Sequence, residues 1–142
     1  KKYNESFDVI LLSNSAKTAN EAALSLNCEV GAIVKSLVFK TEKKFTLFLV
    51  AGDKKASLNK IKKILNIKDA AMASAEEVKN VTGFSIGGVS PIGHLNKIDI
   101  YIDNSLKRFE NLYAAAGHPN CIFKINFIDL QKLTNGAISE IT

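Results

Sequence analysis

The sequence contains few of the residues that bind metal ions. Its 142 residues include two cysteines, Cys28 and Cys121, and two histidines, His94 and His118. The cysteines lie far apart and form no Cys-x-x-Cys pair, whereas a structural zinc site needs closely spaced ligands. The four side chains could meet only through the fold, and none of the usual local ligand pairings is present. We therefore expect reduced, largely buried thiols, and we predict no metal and no cofactor.

Long apolar runs are also missing. No stretch approaches the roughly 20 apolar residues that a membrane-spanning helix needs. The first five residues, KKYNE, open no hydrophobic signal segment. These absences predict a cytoplasmic protein that makes no membrane contact.

Arginine is nearly absent, although the chain is basic. Arg108 is the only arginine among 19 basic residues, and with 14 acidic residues the net charge is +5. Sequence-specific reading of DNA grooves depends largely on bidentate arginine contacts, so such reading is not expected. A lysine-rich surface favours contact with the phosphates of a polyanion, although lysine also serves simply as a solubilising residue.

The densest group of lysines lies in and beside a predicted amphipathic helix over residues 58–65. It is either a solvated helix face or a contact surface for a nucleic-acid backbone. Its members are Lys54, Lys55, Lys60, Lys62 and Lys63, with Lys68 nearby.

Apolar periodicity and capping residues predict a single α/β (α+β) domain over residues 1–142. Its sheet is expected to be curved, mixed or largely antiparallel, and flanked by helices. Thr18 and Glu21 form a potential capping box for a helix that ends near Asn27. The other predicted helices cover residues 58–65, 74–81 and 127–133, and the predicted strands cover 33–39, 45–51, 70–72, 98–102, 111–114 and 121–125.

Two short segments hold both prolines, both histidines and four of the eight glycines. They are GGVSPIGH at 87–94 and GHP at 117–119. Glycine lets a backbone turn sharply and approach a ligand, and proline fixes the turn. Such a loop can present N–H groups to a phosphate or an oxyanion, or it can be a tight turn between strands.

Lys35 occupies an unusual place in a predicted strand. It alternates onto the same face as the apolar residues Leu37 and Phe39. A lysine there either extends its ammonium to water at the strand end or meets an anion, because unpaired burial is costly.

Several segments, in this order and spacing, resemble the YbaK family. These proteins are aminoacyl-tRNA deacylases related to the editing insertion of bacterial prolyl-tRNA synthetase. The segments are TANEAA (18–23), IVKSLVF (33–39), VAGD (50–53) and TGFSIGGVSPIG (82–93), with AGHPN (116–120) matching one branch.

The resemblance implies a YbaK-like fold and hydrolysis of a wrongly attached amino acid from the 3′ end of a tRNA. It aligns Lys35 with the lysine that the family requires, where it holds the phosphate and terminal nucleotide. Gly87 and Pro91 match the family's Gly-x-x-x-Pro loop beside the reactive ester, and His118 falls in a second pocket-lining segment. The expected substrate-binding residues are Thr18, Gly52, Asp53, Gly88, Val89, Ser90, Gly93, Gly117 and His118.

No convincing nucleophile accompanies these residues. Ser90 lies in GVSPI, which lacks the final glycine of Gly-x-Ser-x-Gly, and Pro91 removes the N–H that an oxyanion hole would use. Attack by water, aided by the ribose 2′-hydroxyl of the substrate, is the expected chemistry. His94 or His118 is a possible base near neutral pH, and His94 is better explained as a cap of the loop.

The expected enzyme is a free-standing hydrolase that edits in trans. Its partners are the acceptor end of a mischarged tRNA, with the lysines named above on the tRNA backbone, and an aminoacyl-tRNA synthetase as a further candidate. The predicted substrate is tRNA-Pro or a related tRNA carrying a small amino acid such as Ala, Cys, Ser or Thr. A non-catalytic tRNA-binding module and a small-molecule binding protein are the alternatives.

Overall fold

The structure, a computed structural model, describes residues 9–11, 18–42, 44–86, 88–118 and 121–142. Four helices and eight strands are assigned within those residues. The helices are α1 (Ala19–Leu26), α2 (Leu58–Leu65), α3 (Ala75–Thr82) and α4 (Phe127–Thr134). The strands are β1 (Val9–Leu11), β2 (Ile33–Lys40), β3 (Phe45–Ala51), β4 (Ala71–Met72), β5 (Asp99–Asp103), β6 (Leu112–His118), β7 (Cys121–Ile125) and β8 (Ala137–Ser139).

All eight described strands belong to one mixed sheet. Seven of them follow the order β1-β7-β6-β2-β3-β5-β8, and β4 pairs with β2 beside this path. The β2–β3 hairpin is antiparallel, whereas β6 lies parallel to β2 and β5 parallel to β3. The predicted fold class, a mixed sheet flanked by helices, is confirmed.

The helices cover both faces of the sheet. Because strand side chains alternate, Val34 and Val38 of β2 point to one face, where Val78 of α3 and Leu130 of α4 complete a large core. On the opposite face α1 packs over the start of β2, and Ile61 of α2 packs over its far end. We call this second side the α1–α2 face. Lys35 lies on it.

Helix ends agree closely with the capping signals in the sequence. The Thr18 hydroxyl accepts from the Glu21 N–H at 3.1 Å, and Glu21 accepts from the Thr18 N–H at 3.2 Å. Asn27, Asn66 and Asn135 end α1, α2 and α4, each with a left-handed φ between 53° and 55°. Asparagine tolerates this conformation better than most residues, so these ends are set locally.

Two strands escaped prediction from the sequence. The three-residue strands β1 and β8 pair with β7 and β5, respectively. Segments this short carry too little periodicity to be identified, and partners distant in the chain define them. Residues 12–17, which precede the predicted cap Thr18, lie outside the described residues.

A buried carboxylate anchors the last residues to the sheet. The Asp103 side chain is fully buried and accepts hydrogen bonds from the N–H groups of Ile141, at 2.7 Å, and Thr142, at 3.1 Å. It also accepts from the backbone and hydroxyl of Ser105. Burial by itself raises the pKa of Asp103, but the hydrogen bonds from Ser105, Ile141 and Thr142 outweigh it, and the pKa lies below its ordinary value.

No helix in the described part of the chain is long and apolar enough to span a bilayer.

Asp103→Asn should lower the free energy of unfolding by about 2–3 kcal/mol at pH 7, because several hydrogen bonds to a charged acceptor are lost. The lowered folded-state pKa means that this stabilisation is present above about pH 4 and is lost as the pH falls through the folded value. Urea unfolding at pH 7 and at about pH 3 measures both effects. Asp69→Asn, at an exposed loop position, is the control. Equal losses at both pH values would contradict the assignment.

Candidate functional site

One edge of β2 is left unpaired at its centre. β3 pairs with β2 from Val34 to Lys40 on one side. On the other side β6 pairs only with Ile33 and Val34, and β4 only with Phe39 and Lys40. Among the described residues, no strand pairs with residues 35–38 along this second edge. We call this opening the β2 gap.

Ser36 directs its backbone polar groups into the β2 gap. Successive residues of a strand direct their N–H and C=O to opposite sides. The Ile33 carbonyl accepts from Gly52 at 2.8 Å on the β3 side, and the Val38 carbonyl accepts from Ala73 at 2.9 Å on the other side. Ser36 therefore faces the same side as Val38, where the gap is. Its hydroxyl is buried and has no hydrogen-bond partner among the described residues.

A cavity of about 300 Å³ opens at the β2 gap. The start of α1, the middle of β2, the strands β6 and β7, and the glycine-rich loop enclose it. Most of the lining is apolar, which suits a small organic group with a few fixed polar contacts. The lining residues are Thr18, Ala19, Ala22, Ile33, Val34, Lys35, Ser36, Leu37, Ile86, Val89, Tyr113, Ala115 and Ile122.

Among the described residues that line this cavity, Lys35 is the one with a charged side chain. Its side chain is half-buried, and its Nζ donates to the backbone carbonyl of Lys54 at 2.6 Å. Burial lowers the pKa of the Lys35 ammonium, the charge of Asp53 opposes that shift, and Lys55 adds to it. An ammonium has three donors, so the Lys54 carbonyl leaves two for another acceptor.

The glycine-rich loop follows α3, and its last residues are hydrogen-bonded back to the end of that helix. The N–H groups of Leu95 and Asn96 donate to the carbonyls of Thr82 and Val81 at the end of α3, at 2.9 and 3.1 Å. Between these ends the partly buried Phe84 ring packs against the large core. These bonds bring the two ends of the loop together.

Phe84 joins this loop to β6. Gly117 has φ +98°, and a Cβ there would lie 3.1 Å from the Phe84 ring. His94 packs edge-on against the same ring at 6.0 Å. A side chain at Gly117 would therefore be strained and would also meet Phe84.

His94 serves the loop itself. Its Nε2 lies 2.6 Å from the Ser90 carbonyl, which can only accept, so Nε2 carries the proton. Burial lowers the pKa of His94, and the bond to Ser90 opposes that shift. The structure agrees with the interpretation of His94 as a cap of the loop. Ser90 also makes a contact within the loop, since its buried hydroxyl accepts a hydrogen bond from the Ile92 N–H at 3.3 Å.

The expected site residues do not all line one cavity. Lys35, Thr18 and Val89 line the cavity, although the Thr18 hydroxyl also caps α1. Pro91, Gly93 and His94 instead line a second hollow of about 180 Å³. Gly88 and Ser90 are buried, and neither is among the residues that line the cavity. Gly87 and the His118 side chain lie outside the described residues, so their expected roles stay predictions.

Gly52 and Asp53 lie beside Lys35 rather than in the cavity wall. A Cβ at Gly52 would overlap the carbonyl oxygen of Val30, which lies in the turn before β2. Only glycine therefore allows the end of β3 to approach that turn. The next residue, Asp53, forms a bidentate ion pair with Arg108, with N–O distances of 3.1 and 2.7 Å. The Asp53 carboxylate is thus already occupied.

The lysines in and beside α2 differ in their exposure and in their ion pairs. Lys54, Lys55 and Lys63 are exposed. Lys60 instead pairs with Glu140 at 2.6 Å and also donates to the Thr142 carbonyl. Lys62 and Lys63 lie in the last turn of α2, where the helix dipole also stabilises positive charge. The surface available to a polyanion therefore centres on Lys54, Lys55, Lys62 and Lys63.

No group of three or more His, Cys, Asp or Glu side chains converges as a metal site in the part of the chain that the structure describes.

The sequence profile of the aminoacyl-tRNA editing domain matches residues 13–133. The chain belongs to this family. The resemblance found in the sequence is confirmed, and the match spans the cavity, Lys35 and the glycine-rich loop.

Relatives of the family occur both as short proteins and as parts of longer ones. The uncharacterized protein YwhH of Bacillus subtilis (strain 168) is 33% identical over 134 residues, covering 94% of this chain and 85% of YwhH. The proline–tRNA ligase of Caldicellulosiruptor bescii is 32% identical over 118 residues, or 82% of this chain but only 20% of the ligase. A crystal structure described as a proposed trans-editing enzyme for prolyl tRNA synthetase superposes with a TM-score of 0.90. It is 38% identical, covering 96% of this chain and 86% of that one.

Ser36 is the site residue that sequence reasoning missed. A serine in a strand gives no signal by itself. Its significance comes from β6 and β4, which pair with the two ends of β2 and leave the centre open. Recognising this from the sequence would have required the strand order.

Removing the Ser36 hydroxyl should not destabilise the fold. An unpaired buried hydroxyl costs free energy, so Ser36→Ala should raise the free energy of unfolding by about 1 kcal/mol. Thr46→Val is the matched variant, because the Thr46 hydroxyl is also buried without a partner among the described residues, but in β3 and away from the cavity lining. Urea unfolding of both variants measures the effect. A marked loss of stability in Ser36→Ala alone would mean that this hydroxyl is satisfied.

Proposed function

We propose that this protein hydrolyses the ester bond of a mischarged aminoacyl-tRNA, acting in trans. The observation that carries the proposal is the β2 gap. There Lys35 and Ser36, with its open backbone edge, line one largely apolar cavity. Membership of the editing-domain family and the likeness to a proposed trans-editing enzyme support it.

The cavity supports a small substrate side chain. It encloses about 300 Å³, and that space must hold the aminoacyl group together with part of the terminal ribose. Apolar side chains from α1, β6 and β7 make up much of its wall. Ala, Cys, Ser and Thr are the candidates, carried by tRNA-Pro or a related tRNA. Apolar pockets separate side chains that differ by one methylene by only about 1–3 kcal/mol, so several of them can be accepted.

The proposed chemistry needs positioning more than it needs a nucleophile. An aminoacyl ester is already activated, and bringing it together with water lowers much of the barrier. The Ser36 N–H faces the gap and is a candidate donor to the ester carbonyl as negative charge develops. One such donor contributes roughly 10²–10³-fold to the rate. Lys35 would hold a phosphate of the terminal nucleotide, and the substrate's own 2′-hydroxyl would assist the water.

The lysines beside the site would guide the tRNA. Lys54 follows β3 next to Lys35, and Lys62 and Lys63 lie on α2, which covers the same face of the sheet. Phosphate contacts of this kind carry affinity without reading sequence. A tRNA substrate would place the activity in the cytoplasm, and prolyl-tRNA synthetase is the candidate protein partner.

Lys35→Ala should reduce deacylation by about 10²-fold or more, because the substrate phosphate loses its cation and the ester is misplaced. The assay measures release of Ala, Cys, Ser or Thr from tRNA-Pro by the wild type and the variant. Lys40→Ala is the matched control, because Lys40 ends the same strand but pairs with Glu77 at 2.9 Å on the other face. It should keep full activity.

Turnover by Lys35→Ala at the wild-type rate would overturn the role of Lys35. A wild type that binds tRNA but hydrolyses none of the four species would instead favour the non-catalytic binding module. The absence of both tRNA binding and hydrolysis would favour a small-molecule binding protein.

The double variant Lys54→Ala/Lys63→Ala should weaken tRNA binding and reduce the salt slope of log K by about 1 to 2, since two phosphate contacts are lost. Filter binding at a series of salt concentrations measures both. The control, Lys97→Ala/Lys132→Ala, removes the same charge from exposed positions outside the lysine group. Equal effects of the two double variants would show that only net charge matters.

A further inference from the structure

The chain's only arginine is fixed beside the proposed site. Arg108 donates to both oxygens of Asp53, with its Nη2 at 2.7 Å and its Nη1 at 3.1 Å. Its Nε donates to the Ser105 carbonyl at 2.7 Å, and its guanidinium lies 4.9 Å from the centre of the Phe109 ring. Three kinds of contact therefore orient one planar group, an arrangement that lysine could not reproduce.

Gly31 brings these groups close together. A Cβ on Gly31 would lie 2.7 Å from the Phe109 ring and 3.0 Å from the Asp53 carboxyl carbon. The ring and the carboxylate thus rest on the backbone of the turn that precedes β2. Asp53 therefore packs against this turn and accepts hydrogen bonds from Arg108.

Asp53 is also the acidic group whose charge acts on Lys35. The next residue, Lys54, binds the Lys35 ammonium through its carbonyl at 2.6 Å. Burial lowers the pKa of Lys35, and the charge of Asp53 partly opposes that shift. The cationic groups that interact with Asp53 are Lys35, Lys54 and Arg108. Of these, Arg108 makes the hydrogen bonds to its carboxylate.

We propose that Arg108 is a positioning residue: by holding both oxygens of Asp53, it keeps this carboxylate from pairing with the Lys35 ammonium. Lys35 then remains available to a phosphate of the substrate. The inference rests on the proposed function, because it assigns that phosphate as the ligand of Lys35. Without Arg108, the Asp53 carboxylate becomes a competing anion for Lys35, and a charge-assisted bond between the two would replace the substrate contact.

The test is a rescue experiment. Arg108→Gln should lower kcat/KM by about 10- to 100-fold, measured on the tRNA-Pro species that the wild type hydrolyses fastest. Adding Asp53→Asn should restore kcat/KM to within about threefold of Asp53→Asn alone, since the competing carboxylate is gone. Lys107→Gln, the same charge change at the neighbouring exposed position, is the control and should be close to wild type.

A binding measurement separates this inference from the proposed function. The probe is an acceptor-stem minihelix that ends in CCA and carries no amino acid. Fluorescence anisotropy measures its binding to the same variants. Arg108→Gln should weaken its binding, and the double variant should recover it. This pattern together with an inactive wild type would overturn the proposed hydrolysis and keep the inference.

Two results would overturn the inference. In the first, Arg108→Gln has wild-type kcat/KM while the wild type is active. In the second, Arg108→Gln is impaired and the double variant remains equally impaired. The second result would mean that Arg108 contacts the tRNA itself or only holds the loop. A wild type with neither turnover nor minihelix binding would overturn the inference and the proposed function together.

Discussion

The site depends on an incomplete strand pairing. Strand β2 is central in the sheet, yet two different strands share its second edge, β6 at the start and β4 at the end. Strand edges are normally covered because their N–H and C=O groups need partners. Here the opening exposes the backbone of Ser36 to a cavity, while β3 pairs with the other edge of the strand from Val34 to Lys40. An opening in a rigid sheet fixes polar groups better than a loop would.

The charges around this opening form a connected series rather than independent contacts. Lys35 is held by a carbonyl of the turn after β3, and the acidic residue of that turn is held by Arg108. Glycines at 31 and 52 allow the segments to approach this closely. The positions of three charged side chains therefore depend on backbone packing around two residues that have no side chain. Substitutions there would act on the site without touching a ligand.

Prediction from the sequence succeeded where the signals are local. The capping box of Thr18 and Glu21, the hairpin strands and the amphipathic helix over 58–65 all appear in the structure at nearly the predicted bounds. The site was only partly predictable. The sequence makes Lys35 a candidate through its place on an apolar strand face and through the family resemblance, whereas Ser36 and Arg108 give no such signal. Lys60 was grouped with a solvent-facing lysine cluster because its partner Glu140 lies 80 residues away.

The sequence by itself determined the helices, the main strands and the family, and it singled out Lys35 as a candidate, because caps, periodicity and motifs act over a few residues. Only the tertiary structure decided the strand order, and with it the gap in β2, the cavity and the pairing of Asp53 with Arg108 across 55 residues. The tertiary structure also placed Pro91 and His94 on a hollow apart from the Lys35 cavity, although the glycine and proline content of their loop indicates a functional site. Contacts between distant segments form only when the whole core packs, and no local pattern encodes them.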